Sequence, residues 1–195
     1  PVVELNTNGL DFSSYVAVGA SFTGGFTDGA MFAAAQENSF PNILASKFGT
    51  EFKQPLMIGN TGGMIIPIPG VDDLEYRLVF NGATPERLNS FLPKIGQEVP
   101  PIETNATTIL SGPFHNYGIP GAKSFHLTFS GYGTLNPYFG RMASSAGASV
   151  LGDAAAQQPT FFTLSEVGGN DVLGFATNGG YNSSTQTDAI YQSDP

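Results

Sequence analysis

The chain is polar and rich in turn residues over 1–13, then runs without a charge through Tyr15–Gly19 (YVAVG) and breaks into ASFTGGFTDG. A short, continuous apolar run bounded by turn residues predicts a strand covered on both faces, as parallel strands beneath helices are. Helical spacing follows at Met31–Gln36 and Ser39–Phe48. In the second of these Ile43, Leu44 and Phe48 share a face, Pro41 suits a first turn and Ser39 stands where an N-cap would.

From about 55 to 112 this pattern is lost. NTGGMIIPIPGVDD and FLPKIGQEVPPIETN concentrate proline and glycine. Proline removes a backbone donor and glycine weakens regular elements, so this stretch predicts an irregular insertion with a hairpin around Leu74–Phe80. Regular pattern returns with a short strand at Phe114–Tyr117, a helix at Pro137–Ala148 and a strong strand at Thr160–Val167 (TFFTLSEV). The tail NGGYNSSTQTDAIYQSDP is polar and carries no terminating element. Strands alternating with helical segments, each strand followed by a glycine-rich break, predict an α/β fold of layers around a mainly parallel sheet. Reactive groups gather at the carboxyl ends of such strands.

Length and composition narrow the chemistry. The 195 residues suit one domain, and 41% of them are hydrophobic. Seven basic against sixteen acidic residues give a net charge of −9 with no Lys/Arg cluster, which argues against a nucleic-acid partner. Without cysteine there is no disulfide, thiol catalysis or zinc–thiolate site, and His115 and His126 are too few for a histidine-rich metal centre. The sequence holds neither an apolar run of about 18 residues nor a basic-then-apolar leader. It begins at Pro1 without a methionine, which raises the expectation that an upstream segment was removed.

Three strand ends carry candidate chemistry. At Gly19-Ala20-Ser21-Phe22 a serine follows the first strand, where its hydroxyl could be exposed beside helix-start N–H groups. The G-x-S-x-G elbow is not present, since residue 23 is Thr, and taken alone Ser21 reads as a turn or N-cap serine. At His115–Ser124 (HNYGIPGAKS) Gly121 can aim its N–H into a cleft; Ala122 before Lys123 breaks a phosphate-loop match, and alone this is a structural turn. At VGGNDV two glycines let the chain turn and present Asn170, whose amide can donate to a developing oxyanion without any charge of its own. The alternative is that Asn170 or Asp171 caps the next helix.

Read together and in order, these stretches resemble the first three sequence blocks of the SGNH/GDSL hydrolase family. YVAVGASFTGGFTDGA and NSFPNILASKF are similar to GDSL-like lipases that occur as secreted lipoproteins of Bacteroidetes. The resemblance implies a three-layer α/β/α sandwich with a mainly parallel sheet, of which residues 1–195 form the N-terminal portion of a single domain interrupted by the insertion at about 55–112. It implies a serine esterase or acylhydrolase acting through an acyl-enzyme on a small-molecule ester of a lipid or an acylated carbohydrate. Ser21 would be the nucleophile, with its own N–H, the Gly121 N–H and the Asn170 side chain as oxyanion donors. No cofactor or metal is implied, and location would be periplasmic or at the cell surface, with membrane contact only through an upstream lipid anchor.

Two departures from the family pattern matter. Ala20 stands where Asp or Asn usually precedes the serine, which leaves the rigidity of the serine loop unexplained. The late D-x-x-H block that supplies the general base does not occur in this sequence, and His115 and His126 read as structural histidines. The expectation is therefore that the base comes from a downstream segment of the same protein, the chain alone being nearly inactive. The alternative from another class is a non-catalytic module that binds glycan or lipid on a degenerate SGNH fold.

Overall fold

The computed structural model describes residue 6 and residues 8–177, so the expected polar tail lies outside the described residues. In chain order the strands are β1 (Tyr15–Gly19), β2 (Gly62–Met64), β3 (Leu74–Tyr76), β4 (Leu78–Phe80), β5 (Pro85–Arg87), β6 (Asn116–Gly118) and β7 (Phe161–Leu164). The α-helices are α1 (Ser21–Gly24), α2 (Ala33–Glu37), α3 (Phe40–Phe48), α4 (Leu88–Phe91), α5 (Pro137–Gly140), α6 (Val150–Ala156) and α7 (Gly169–Thr177). The protein is mixed α/β, built on a three-stranded parallel sheet of order β6-β1-β7.

The central place of β1 follows from its composition. A strand without a charged side chain gains most where both faces are covered, and all five of its residues are buried. Val16 and Val18 face one side, packing with Tyr117, Ile119, Phe139 and, on α6, Val150 and Ala154. Tyr15 and Ala17 face the other, against Ala45, Leu44 and Phe48 of α3, with Phe52 and Phe161. Phe12, Phe48 and Phe161 add stacked and edge-on rings there, and the Tyr15 hydroxyl meets Thr163 Oγ1 at 2.8 Å. Register is fixed by Ala17 opposite Asn116 and Tyr15 opposite Phe161, which brings the carboxyl ends of all three strands to one edge.

Glycine at 118 is required by how closely β6 approaches α1. A Cβ there would lie 2.0 Å from the Gly24 backbone nitrogen and 2.4 Å from the Thr23 carbonyl carbon. Backbone cannot step aside as a side chain can. Gly118→Ala is therefore expected to lower stability by about 3 kcal/mol or more, seen as a shifted denaturant midpoint with an unchanged m-value.

The other end of the sheet is open. Among the described residues no strand pairs with the outer edge of β7, whose Phe162 and Leu164 are 62% and 57% exposed. The helix that follows buries none of its described residues and exposes Val172, Leu173 and Phe175.

Three sequence expectations are corrected. The hairpin expected at Leu74–Phe80 is two separate pairings: β3 pairs back with β2, and β4 pairs forward with β5 around an Asn81 whose Oδ1 accepts from the N–H groups of Ala83 and Thr84. Arg77 divides them, its Nε donating to the Asn60 carbonyl at 2.7 Å. The helix expected over Pro137–Ala148 stops at Gly140, where the chain presses on the Gly133 carbonyl, and a new helix begins only when Ser149 caps Gly152. Ser39 does occupy the N-cap of α3, yet its hydroxyl faces Gln54 Oε1 at 3.4 Å and caps nothing. The insertion is also anchored to the rest of the fold by a small cluster in which its Met57, Met64 and Ile66 pack with Met31 and Phe26.

Candidate active site

After Gly19 the chain turns at Ala20 into the single turn of α1, so Ser21 is the first helical residue and is partly exposed. Ala20 has no side chain with which to cap that helix, and the task falls to a residue from the far side of the sheet. Glu166, just beyond β7, accepts from Ala20 N–H and Thr23 N–H through Oε1 at 2.9 and 2.8 Å and from Phe22 N–H through Oε2 at 3.1 Å. The Ser21 N–H is skipped. Among the described residues neither it nor Ser21 Oγ has a hydrogen-bond partner, so the turn or N-cap role that the isolated serine suggested is not the one it has.

Gly121 belongs to a turn with the features of type II: Pro at the second position, Gly at φ +78° at the third, and an Ala122 N–H to Ile119 carbonyl bond of 3.0 Å. No atom lies within 4 Å of where its Cβ would be, so the glycine answers to conformation and not to crowding. The peptide plane between Pro120 and Gly121 is pinned on one side, because buried Asn136 donates from Nδ2 to the Pro120 carbonyl at 2.9 Å. A trans peptide directs its N–H opposite to its carbonyl, so Asn136 sets the direction of the Gly121 N–H.

Asn170 lies in the first turn of α7, and its side chain does not cap that helix. Nδ2 donates to the Ala122 carbonyl at 2.8 Å, beside Gly121. A carboxamide nitrogen carries two hydrogens, so one fixes the group while the other can be offered elsewhere. Asp171 adds a second tie, accepting from both the N–H and the hydroxyl of Ser124 at 2.9 and 2.6 Å. The Ile119 N–H bonds the Gly19 carbonyl at 3.0 Å. The loops after the three strands are thus bonded to one another pairwise, with Asn170 brought directly to the Gly121 turn and Ser21 held from the segment that leads to Asn170.

Both histidines have their Nδ1 lone pair engaged. His115 Nδ1 accepts the Lys53 N–H at 2.8 Å and its ring stacks on Phe52; His126 Nδ1 accepts the Lys123 N–H at 3.0 Å, between Phe125 and Tyr132. An accepting Nδ1 places the proton of the neutral ring on Nε2, which leaves no free lone pair to take a proton from serine. Burial, opposed by Glu51 and assisted by Lys53, holds the His115 pKa below its usual 6.5. The folded state then binds fewer protons than the unfolded chain, so this contribution is complete above about pH 6.5 and is lost as pH falls below it. His115→Gln is expected to flatten the stability profile between about pH 7 and 5, read from melting temperatures across that range.

An open groove of about 560 Å³, mostly apolar but with Asp72, Thr107 and Thr134 in its lining, runs between the insertion and the segment after Gly131, with Ile66, Leu74, Leu135 and Pro137 among its walls. Ile66 packs with Phe26, whose N–H bonds the Ser21 carbonyl; Pro137 adjoins Asn136, which holds the Gly121 turn.

Compared with protein-family models, curated proteins and solved structures, the chain gives no significant match to any of them. Sequence reasoning missed Glu166 and Asn136. Ala20 did signal that the serine loop lacked a local partner, but nothing in TLSEVGG marks which residue would replace it.

Proposed function

We propose that the protein is the nucleophile-bearing portion of a GDSL-type serine esterase with a three-layer α/β/α architecture, cleaving carboxylic esters through an acyl-enzyme. The observation that supports this best is that, among the described residues, the hydroxyl and N–H of Ser21 have no partner at the carboxyl end of β1, in loops bonded to those of Gly121 and Asn170. Ser21 Oγ attacks the ester carbonyl carbon. The oxyanion that forms is held by the N–H groups of Ser21 and Gly121 and by the second amide hydrogen of Asn170. The alcohol departs, and water releases the acid from Ser21. Helices on both faces of β1 fit the sandwich, and the apolar groove flanking the same loops suits an ester with an aliphatic part.

The general base comes from a further segment of the polypeptide, and the exposed apolar surface of β7 and α7 is where such a segment would pack. The test is turnover of p-nitrophenyl butyrate by residues 1–195 and by a form extended downstream. Near-zero activity in the first and Ser21-dependent activity in the second are expected; no Ser21-dependent turnover in any extended form sinks the proposal. A second reading, a non-catalytic glycan- or lipid-binding module, is favoured by one observation, the engagement of both Nδ1 lone pairs. It expects ligand binding with no turnover in either form.

A further inference from the structure

Glu166 is the one residue whose side chain bonds three backbone N–H groups of the nucleophile turn, and its own backbone is unusual. It sits at φ +53°, in the left-handed region that glycine, asparagine and aspartate tolerate and glutamate rarely enters. Gly168 and Gly169 stand two and three residues further on and could have absorbed such a turn without a Cβ penalty. Strain at a residue that the sequence did not oblige to carry it has to be held by something, and three amide hydrogen bonds to a carboxylate are strong enough to hold it. The bonds are also selective: they take the N–H groups of residues 20, 22 and 23 and leave that of 21.

From this we infer that Glu166 is a positioning residue for the proposed acyl transfer: a carboxylate clamp from the β7 loop that curls the serine turn so that Ser21 alone presents its N–H and hydroxyl outward. It supplies from across the sheet what Ala20 cannot supply locally. The inference rests on the esterase reading. Glu166 does not act as the base, since its two oxygens already accept three amide hydrogens. Oε1 serves Ala20 and Thr23 while Oε2 serves only Phe22, so a glutamine oriented with its oxygen toward Ala20 keeps two of the three bonds and sets an NH₂ against the third. Alanine keeps none.

Two measurements decide it. In residues 1–195, with backbone amides observed by NMR, the amide protons of Ala20, Phe22 and Thr23 are expected to be protected from exchange together; Glu166→Gln is expected to lose the protection of Phe22 and Glu166→Ala that of all three at once. In the extended, active form kcat on p-nitrophenyl butyrate is expected to fall about 10-fold in Glu166→Gln and about 100-fold in Glu166→Ala, with KM within about twofold, as a misplaced nucleophile and not a lost binding site would give. Melting curves of both variants separate misplacement from unfolding, and the glutamine variant carries the test if alanine prevents folding. Protection of all three amides that is unchanged in Glu166→Gln and Glu166→Ala overturns the clamp, and unchanged kcat in the same two variants overturns its positioning role. If the esterase reading itself is wrong, the loss of amide protection in the variants is still seen while Ser21-dependent turnover is absent, so the two failures are told apart.

Discussion

Replacing Ser21 by alanine in the extended form is expected to lower kcat on p-nitrophenyl butyrate by about 10⁴-fold or more, leaving only what the oxyanion donors and substrate binding contribute without a nucleophile. The expectation is this large because the covalent step loses its nucleophile outright, and Ser39 and Ser124 have their hydroxyls on Gln54 and Asp171. Folding should be unaffected, since the Ser21 side chain has no partner among the described residues and the turn is held by bonds to its neighbours. A fluorophosphonate that labels the parent protein and spares the variant would report the same loss directly. Substantial turnover surviving the substitution would remove Ser21 from the mechanism.

The second large effect is expected at Asn170. Loss of one preorganised oxyanion donor typically costs about 10²- to 10³-fold in kcat, or about 3 to 4 kcal/mol of transition-state stabilisation. Asn170→Ala is expected to fall in that range with KM little changed, because the hydrogen bond in question strengthens only as negative charge develops. Asn170→Asp is expected to be worse than alanine. The carboxylate cannot donate, it sets like charge against the oxyanion, and it faces the Ala122 carbonyl with a lone pair where the amide offered a hydrogen. Equal kcat for the aspartate variant and the parent would show that Asn170 only ties α7 to the Gly121 turn.

How much of this was legible depends on the range of the interaction concerned. β1 was readable because an uninterrupted apolar run has one stable placement, between two covered faces, and the sheet's parallel sense followed from the alternation around it. The candidate residues were readable from their places after strands. The insertion was not, since its pairings depend on turn chemistry at Arg77 and Asn81 that hydrophobic periodicity does not register. Helix α5 ends at Gly140, which lies so close to Gly133 that a Cβ would meet its carbonyl, a long-range contact invisible to a local pattern that still scored Pro137–Ala148 as helical. The Glu166 bonds to the turn after β1 were the least visible of all. Glu166 reaches residues that precede it by 146, 144 and 143 positions, and the sequence showed the vacancy at Ala20 without showing what fills it.

The strand order has a consequence for how the chain is made. β1 leaves the ribosome before the other described strands and is the most thoroughly covered of them, yet its neighbours pair with it only after roughly 100 and 146 further residues have been added. At about 5–20 residues per second, its strand neighbours follow on the order of ten seconds later, so through that interval only the α3 side of β1 can be covered, by Ala45, Phe48 and Phe52. Slowing translation between α3 and β7 is expected to lower the soluble yield.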